Sequence, residues 1–468
     1  MKRHGKNLIA LFGSDALVRL LGFAATAWLA RTVDQSAFGM IGFGMAALSY
    51  GVLATSPGLH VIGAMKIADG SVQSHALVRL ISRVRMVPAA LFILGTGAVY
   101  AAMPSSGLAQ SAFFFSWTLI PMALQLEWYF QGRELLTAVA IGKIIAALVF
   151  PAGIILLLAP SNAYWLVPLA YGSGIALQSV WLWMAYRRRG DRVAASSSSA
   201  PYSWRALLAQ ALPVGAAVIA AQALLNFPSI ALGLAASPEE IARFTAASKL
   251  VFFTLAIDRV MYALFFPFVA RAHARDPHSL PAQLDTVAKF VMLLCLPVCI
   301  GGSVLAPQIL SLVYGAPYAA ASLLLQIQLW YFFFTILNSL FSYPLIAVGE
   351  ERFYGMMTSM IAVATIVLMI PLTWVFKAPG ASAGLVLGEA ALASVMAVKA
   401  RGLFSAATLR HMFKPLAASL VMGSFLAIFS YISIFILIPA GALVYGLAAF
   451  GIGAFDRRDI AFLRERLL

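Results

Sequence analysis

Ionisable side chains interrupt several long apolar segments of this 468-residue chain. If these segments cross a bilayer, each such group costs ~2.5–3.5 kcal/mol or more at the centre, so it must face a cavity or another charge. Cations in a cavity favour an anion such as a phosphate, and carboxyl groups favour a proton or a metal cation. The residues concerned are Asp15, Arg19, Glu127, Lys143, Lys249, Asp258, Arg259 and Glu389.

The first apolar segment carries an acid and a base one helical turn apart. At 100° per residue, Asp15, Arg19, Gly22 and Thr26 fall within ~60° of arc. This arrangement is either a stripe that lines a cavity or an i,i+4 ion pair that neutralises itself. Arg19 is therefore a candidate ligand for an anion, and Asp15 is a candidate for ion coupling.

The eighth apolar segment places two cations on one predicted helix face, with one acid to the side. Two cations beside a single acid, Asp258, make a poor internal pair and a good anion site. The face, about 100° wide, comprises Thr245, Ser248, Lys249, Phe252 and Arg259. Lys143, about six residues into the fifth segment, is either a further anion ligand or a side chain that reaches the interface.

Two more acids are candidates for binding a coupling ion. Glu389 lies near the middle of the twelfth segment, just after a Gly384-x-x-x-Gly388 pair that lets helices approach closely; the alternative is a buried partner for a cation. Glu127 stands in Leu126–Glu134, "LEWYFQGRE", near the end of the fourth segment. We expect Trp128 and Tyr129 to lie in the headgroup layer, which makes Glu127 the weaker candidate.

Uncharged polar side chains line one face of the seventh segment. Gln222, Asn226 and Ser229 share that face with Gly215. Their amides and hydroxyl are suited to hydrogen-bonding the hydroxyl groups of a sugar.

The composition requires a membrane for these segments. The chain is 62% hydrophobic and 10% charged, with a mean hydropathy of +0.91, against about 25% charged residues in soluble domains. Residues 290–349 contain no Asp, Glu, Lys or Arg, which is room for two spans of ~20 residues. Because the apolar runs do not alternate as barrel strands do, the sequence predicts an all-α, polytopic membrane protein.

Charges and turn signals divide the chain into fourteen predicted spans. The first six cover about 7–31, 37–64, 86–103, 110–131, 137–159 and 163–186. The next six cover about 206–234, 241–270, 287–313, 318–347, 354–376 and 380–400. A final pair covers about 413–432 and 435–455.

The positive residues follow the predicted loops. Of 32 Lys and Arg, 25 fall in one alternate set of loops, Arg83 and Arg85 among them, and only Arg31, Arg243 and Lys377 fall in the other. Because positive residues mark cytoplasmic loops, both termini are predicted to be cytoplasmic. The net charge of +15 is then a topology signal, with some attraction to anionic lipid headgroups, and we expect no nucleic-acid partner.

The spans fall into two predicted six-helix lobes. Residues 1–190 form the first lobe, 191–204 a cytoplasmic linker and 205–410 the second lobe. Residues 411–468 hold the last two spans and a cytoplasmic tail. Six spans before the linker permit a parallel repeat about an axis along the membrane normal.

Enzymatic signatures are missing from the sequence. It has no Gly-x-x-x-x-Gly-Lys-Ser/Thr phosphate loop and no His-Glu-x-x-His. The six histidines lack metal-ligand spacing, and the predicted periplasmic loops are short. These features favour transport over catalysis, with no metal site and no cofactor; a transmembrane ion gradient is the candidate energy source.

Several short motifs share their residue types and spacing with one family of transporters. They are Trp128-x-Phe130-Gln131-Gly132-x-Glu134, Asn7, Arg19-Leu-Leu-Gly22-Phe23, Leu29-Ala-Arg31, Phe38-Gly39, Ala247-x-Lys249 and Tyr314-Gly-x-x-Tyr318. In these motifs the chain resembles the polysaccharide-transporter, or oligosaccharide-lipid flippase, branch of the multidrug/oligosaccharidyl-lipid/polysaccharide exporter (MOP) superfamily. The likeness covers the first twelve spans, and the final pair exceeds that core. Gln125 and Phe244 depart from the pattern, where Asn and Tyr are expected.

The resemblance implies a substrate and a working cycle. An isoprenoid-pyrophosphate-linked oligosaccharide would cross a bacterial inner membrane by alternating access, for lipopolysaccharide or exopolysaccharide synthesis. Membrane lipids, and possible polysaccharide polymerase and export proteins, would be its partners. Arg19, Lys249, Arg259 and Lys143 would hold the pyrophosphate; Gln222, Asn226 and Ser229 the glycan; Asp15, Asp258, Glu389 and Glu127 the coupling ion.

Two other functions remain open from the sequence. The same fold could export small cationic drugs, although basic residues in the cavity would repel them. A membrane-embedded enzyme of envelope glycolipid synthesis is the alternative from another class.

Overall fold

The protein is built entirely from helices in the part of the chain that the structure, a computed structural model, describes. That part comprises residues 2–70, 73–158, 163–189, 203–275, 280–404 and 407–455. Helices are expected because a chain in lipid must satisfy its backbone hydrogen bonds internally. The predicted all-α class is confirmed.

Ten α-helices precede residue 236 in the described ranges. A 3₁₀ turn, Tyr164–Leu166, leads into the ninth of them. The helices are α1 (Lys2–Thr32), α2 (Gln35–Thr55), α3 (Leu59–Ala68), α4 (Ser74–Ala102), α5 (Gly107–Ser116), α6 (Leu119–Ala123), α7 (Glu127–Gly132), α8 (Leu136–Leu158), α9 (Val167–Arg189) and α10 (Trp204–Ala235).

Eight α-helices follow in the rest of the described chain. Two 3₁₀ helices, Ala316–Ala321 and Arg401–Leu403, connect some of them. The α-helices are α11 (Pro238–Thr254), α12 (Ala256–Arg275), α13 (Leu280–Val304), α14 (Ala306–Tyr314), α15 (Ser322–Ala347), α16 (Glu351–Ala400), α17 (Ala407–Ile428) and α18 (Ile434–Gly451).

Each predicted span coincides with one helix or with a broken helix. Spans 2, 8 and 9 are each divided into two helices, and span 4 is divided into α5, α6 and α7. Seven helical segments of the described chain are long and apolar enough to cross a membrane on length and composition alone. The count of fourteen spans stays a prediction that these helices accommodate.

The 50-residue α16 is folded on itself at Lys377. A straight helix of that length would measure ~75 Å, more than twice the ~30 Å hydrocarbon core. Lys377 has φ 54° and ψ −132°, which is outside the helical region. The two limbs on either side of it match the predicted spans at 354–376 and 380–400.

The described chain separates into two compact units, residues 1–242 and 243–468. The first unit therefore includes α10, which packs against α2 and α3, whereas the predicted division places that helix in the second lobe. The backbone of α10 lies close to the bend between α2 and α3, because a Cβ on Gly215 would lie 2.7 Å from the backbone N of Gly58. Residues 191–202 of the predicted linker and 456–468 of the predicted tail lie outside the described residues.

The last two helices belong to the second unit. Helix α17 packs along α13, and α18 packs on α17. The Tyr445 hydroxyl donates a hydrogen bond to the Leu293 carbonyl at 2.7 Å, and Lys414 Nζ donates to the Gly453 carbonyl at 3.0 Å. The first bond ties the C-terminal pair to α13, and the second joins α17 to the residues that follow α18.

Candidate functional site

Asp258 lies where the eighth span breaks. Helix α11 ends at Thr254 and α12 begins at Ala256, so Asp258 occupies the first turn of α12. The hydroxyl of Tyr343, on α15, donates to the Asp258 carboxylate and lies 3.2 Å from both oxygens. The Tyr343 ring stands edge-on to Tyr262, with ring centroids 5.0 Å apart.

Glu389 lies on the second limb of α16 and also faces α15. Nδ2 of Asn338 donates a hydrogen bond to Glu389 Oε1 at 3.1 Å. The ring of Tyr331, on α15, and that of Tyr354, on the first limb of α16, lie close enough to Glu389 to interact with its charge. The carboxyl group therefore sits among polar groups rather than among hydrocarbon side chains alone.

The two acids belong to one polar cluster, because each is hydrogen-bonded to α15. Asp258 and Glu389 interact electrostatically with each other. Two carboxyl groups and several neutral oxygen donors are the ligand set of a hard monovalent or divalent cation, or of a shared proton. Among the described residues, no group of three or more His, Cys, Asp or Glu side chains is placed to hold a metal ion. The cluster comprises Asp258, Asn338, Tyr343, Glu389, Tyr331 and Tyr354.

A close helix approach positions Glu389, as the glycine pair predicts. A Cβ on Gly384 would lie 3.0 Å from Met369 Cγ, and one on Gly388 would collide with Thr365 Oγ1. Both Met369 and Thr365 lie on the first limb of α16. The predicted role of the pair in close packing is confirmed, and the partner is the preceding span.

Lys249 lies on α11, separate from this acidic cluster. It is half-buried, and no described residue forms a hydrogen bond or ion pair with it. On the same face, the buried hydroxyls of Thr245 and Ser248 have no hydrogen-bond partner in the described part of the chain. An ammonium group and two unpaired hydroxyls on successive turns form a donor set suited to an anion.

Arg259 does not continue this face. Because the helix breaks at Leu255, the 100° spacing that aligned Arg259 with Lys249 does not carry from α11 into α12. Arg259 is exposed and interacts with the charge of the neighbouring Asp258. The described contacts therefore associate Arg259 with the acidic cluster.

The first unit holds two of the predicted cations. Arg19 is an exposed residue of α1, and Lys143 is a half-buried residue of α8. These two helices pack against each other, and both side chains take part in polar interactions. Asp15 lies on α1 as expected, but its side chain is outside what the structure describes.

The predicted glycan-binding residues lie together on α10. Asn226 Nδ2 donates to the Gln222 carbonyl at 2.8 Å, so this side-chain amide bonds back to the preceding turn of its own helix. Gln222 is exposed, and Asn226 and Ser229 are half-buried. Tyr50 of α2, which the sequence did not single out, donates to the Ala223 carbonyl at 2.8 Å on the same turn.

Glu127 lies at the last break of the fourth span, at the start of α7. Gln178 Nε2, on α9, donates to its Oε1 at 2.5 Å. Arg85, which is 7% exposed, interacts with its charge and donates to the Gln125 carbonyl at 3.3 Å. The break leaves two more carbonyls without helical partners, and α9 satisfies both, since Ser179 donates to Pro121 and Trp183 to Leu124.

The aromatic part of "LEWYFQGRE" is buried in protein. Trp128 and Tyr129 are each 2% exposed, so they pack against protein and do not face lipid headgroups as expected. A Cβ on Gly63 of α3 would lie 2.6 Å from Trp128 Cε3, and one on Gly132 would lie 2.5 Å from the Ala64 carbonyl oxygen. Trp128 and Gly132 thus fit α7 against α3, which explains their spacing by packing.

Sequence reasoning missed the uncharged partners of the acids and the burial of Arg85. Gln178, Asn338 and Tyr343 lie inside predicted spans, where a neutral polar side chain is less conspicuous than a charge. Arg85 was assigned to a cytoplasmic loop because it directly precedes the predicted third span. The spacing of two residues between Arg83 and Arg85 could have indicated this burial. On one helix the two side chains must point to different sides, so both cannot face the solvent.

The sequence matches the profile of a known protein family. The profile of the family described as polysaccharide biosynthesis protein matches residues 4–273, which is more than half of the chain. A search of curated protein sequences found no match.

Solved structures share the fold over almost the whole chain. The lipid II flippase MurJ, in an inward closed conformation, aligns with a TM-score of 0.67 and 13% identity over 94% of this chain and 98% of its own. An inward-facing multidrug resistance MATE family transporter of the MOP superfamily aligns with a TM-score of 0.63 and 14% identity, covering 82% of this chain and 94% of that one. A MOP superfamily transporter from Pyrococcus furiosus gives 0.54 and 14%, over 84% and 93% of the two chains. At these low identities the TM-scores show a shared fold, and the predicted fold is confirmed.

Proposed function

Because this chain belongs to the polysaccharide biosynthesis protein family, we propose that it is a flippase for an isoprenoid-pyrophosphate-linked oligosaccharide. The lipid-linked sugar enters from the cytoplasmic leaflet of a bacterial inner membrane and leaves in the outer leaflet, by alternating access of the two lobes. The product serves surface polysaccharide synthesis, as lipopolysaccharide or exopolysaccharide, and no covalent chemistry is required of the protein.

The observation that carries the proposal is the polar face of α11. Lys249 is half-buried with no partner among the described residues, and the Thr245 and Ser248 hydroxyls beside it are buried and unpaired there. Unsatisfied buried donors are costly, at about 1–3 kcal/mol each, so a fold retains them where a ligand completes them. A pyrophosphate supplies several charged acceptor oxygens for such donors.

The other candidate residues are assigned to the same substrate. Arg19 and Lys143, on the paired helices α1 and α8, supply further positive charge for the pyrophosphate. Arg259 on α12 adds charge from its place beside Asp258 and not from the face of Lys249. Gln222, Asn226 and Ser229 on α10 supply amide and hydroxyl groups for the glycan. The acids Asp258 and Glu389, with Asp15, couple the cycle to a proton or cation gradient. Glu127 is the weaker candidate for the same role.

The direct test is complementation of a deletion strain. Arg19→Ala, Lys249→Ala and Arg259→Ala should each lower surface polysaccharide at least tenfold without lowering the amount of protein in the membrane. Lys249→Arg, which keeps the charge, should restore part of the loss. Arg271→Ala is the matched control for Arg259→Ala, because Arg271 is also exposed and also on α12. Full polysaccharide from all three alanine variants would refute the anion site.

Reconstitution separates the flippase from its rivals. Purified protein in vesicles should move a fluorescent or radiolabelled polyprenyl-pyrophosphate oligosaccharide between leaflets and leave it chemically unchanged. A new glycolipid product would identify an enzyme instead. Resistance to cationic drugs, without lipid-linked sugar transfer, would identify a multidrug exporter of the same fold.

A further inference from the structure

The first unit contains a groove that none of the candidate transport residues lines. Its volume is about 730 Å³, within the ~300–1,000 Å³ of typical small-molecule sites. The lining residues come from the end of α2, the start of α3, one side of α4 and the start of α10. They include Thr55, Pro57, Arg83, Val87, Trp204 and Leu212.

The floor of the groove is the bend between α2 and α3. Gly58 has φ 72°, a left-handed conformation that glycine adopts without strain, and a Cβ there would collide with the Ala211 carbonyl oxygen. Helix α10 therefore crosses the bend in backbone contact and forms one wall, while α4 forms the other. The shape is set by backbone packing, so we expect the groove to exist before any ligand binds.

The lining is apolar except at two positions. The Thr55 hydroxyl is 1% exposed and already donates to the Val52 carbonyl at 3.0 Å. Arg83 is the one charged lining residue, and it is exposed, with no hydrogen bond or ion pair to any described residue. By contrast, Arg85 and Arg133, nearby in the same unit, bind a carbonyl and a hydroxyl oxygen.

The opposite wall adds an indole ring and a second cation at the start of α10. Trp204 is 53% exposed, and the guanidinium carbon of Arg205 lies 5.3 Å from its ring centroid. A tryptophan beside an arginine is typical of the membrane–water interface, where the ring stays at headgroup depth. The groove thus has a basic, aromatic mouth and an apolar interior.

The exposed stripe along α4 runs from charge into hydrocarbon. Arg79 and Arg83 are exposed at one end, and the next exposed positions on that side are Val87 (62%), Leu91 (64%) and Leu94 (69%). Arg83 stands about three residues before the predicted third span, roughly 4–5 Å along the helix axis. Its guanidinium is then at headgroup depth, and the predicted orientation places it in the cytoplasmic leaflet.

We propose that this groove binds an anionic phospholipid of the cytoplasmic leaflet. The phosphate pairs with the Arg83 guanidinium, and one acyl chain lies in the apolar interior between α4 and α10. Basic pockets between membrane helices on the cytoplasmic side recognise anionic headgroups in this way, and a guanidinium matches a phosphate in two parallel hydrogen bonds. The site depends on the predicted orientation and not on the identity of the transported substrate.

Native mass spectrometry of the purified full-length protein tests the site. With equal amounts of phosphatidylglycerol and phosphatidylcholine added, the wild type should retain phosphatidylglycerol preferentially. Arg83→Gln should lower the affinity for phosphatidylglycerol about fivefold, the factor that corresponds to about 1 kcal/mol per basic residue at the membrane surface. Arg79→Gln removes the same charge one turn away, at a residue that does not line the groove, and should change the affinity much less.

A second pair of variants tests the acyl chain. Val87→Trp fills the groove, whereas Leu91→Trp adds the same ring one turn further along the exposed stripe, outside the lining. Both positions are exposed, so both variants should remain monodisperse, and only Val87→Trp should reduce phosphatidylglycerol retention.

Three results would overturn the proposal. If the wild type retains the two lipids equally, Arg83 does not select an anionic headgroup. If Arg79→Gln and Arg83→Gln lose equal affinity for phosphatidylglycerol, the preference reflects the overall charge of the protein and not this groove. Complete displacement of phosphatidylglycerol by equimolar polyprenyl phosphate would assign the groove to the transported lipid. Because lipid retention is measured without transport, the first two outcomes would leave the proposed flippase activity untouched.

Discussion

Asn338 donates a hydrogen bond of 3.1 Å from Nδ2 to Oε1 of Glu389, and this bond joins α15 to the second limb of α16. Five residues further along α15, Tyr343 donates to Asp258 on α12. One helix, α15, is therefore hydrogen-bonded to both acids of the polar cluster. An ion bound at these carboxyl groups, as proposed above, would change the hydrogen bonds that tie α12 and α16 to α15.

Glu389→Gln should abolish the dependence of transport on an ion gradient. Glutamine can accept the same hydrogen bond from Asn338, but it neither releases a proton nor balances the charge of a cation. We expect the rate of lipid transfer in vesicles to become insensitive to an imposed pH or Na⁺ gradient, while thermal stability stays close to that of the wild type.

Glu350→Gln is the matched control for that variant. Glu350 lies in the same unit and its Oε1 is 2.9 Å from Lys399 Nζ, but both side chains are about two-fifths exposed, so this pair contributes roughly 1 kcal/mol or less. Gradient dependence should survive in Glu350→Gln. If it also survives in Glu389→Gln, Glu389 is a structural residue and the coupling ion binds elsewhere.

Tyr343→Phe and Asp258→Ala should be non-additive in stability. Each removes one side of the same hydrogen bond, and removing either leaves the other partly unsatisfied, at about 1–3 kcal/mol. The double variant should therefore be less destabilised than the sum of the single ones, with a coupling free energy of about 0.5–3 kcal/mol. Unfolding in detergent, followed by tryptophan fluorescence, measures the cycle; strict additivity would show that the bond does not form in the protein.

The spans were predictable because charges and apolar runs alternate on the scale of a bilayer. The breaks inside spans were not, because their stabilising partners lie far away in sequence. Nothing near Leu124 indicates that Trp183, 59 residues later, supplies a hydrogen bond to its carbonyl. The break is tolerated because a helix distant in sequence donates a hydrogen bond to the carbonyl left without a helical partner. No local sequence pattern indicates that partner.

The candidate site was predictable to the extent that it is charged. Asp258 and Glu389 stand out in apolar segments, whereas Asn338 and Tyr343 do not, since neutral polar residues are common there. The error at Trp128 has a related cause. Aromatic rings collect at membrane interfaces only where a helix faces lipid, and whether α7 faces lipid or α3 depends on Gly63 in another span.

Gly388→Ala should destabilise the second unit through the contact between the two limbs of α16. Its Cβ would collide with Thr365 Oγ1 and come within 2.9 Å of Thr365 Cβ, and overpacking of this kind costs about 1–3 kcal/mol. Thr365→Ala removes the nearer atoms and should recover part of the loss. Gly355→Ala, on the same helix but with no atom within 4 Å of the added Cβ, should be neutral or slightly stabilising. Apparent melting temperatures from size-exclusion analysis distinguish these cases, and equal effects at Gly355 and Gly388 would contradict a close limb contact.

Glu127→Gln should lower stability and leave gradient dependence intact, the opposite of the result expected for Glu389→Gln. The substitution preserves an acceptor for Gln178 Nε2 but removes the charge that faces Arg85, whose side chain is buried. Removing one partner of a fully buried pair costs about 3–5 kcal/mol; because Glu127 itself is half-buried, we expect a smaller loss of about 1–3 kcal/mol. Arg85→Gln combined with Glu127→Gln should recover part of that loss, since no uncompensated charge remains.

The control is Glu134→Gln, at an exposed acid in the same stretch, which should change neither stability nor gradient dependence. If Glu127→Gln instead melts like the wild type and transfers lipid independently of the gradient, Glu127 takes part in ion coupling, and the polar break in the fourth span is a second ion site.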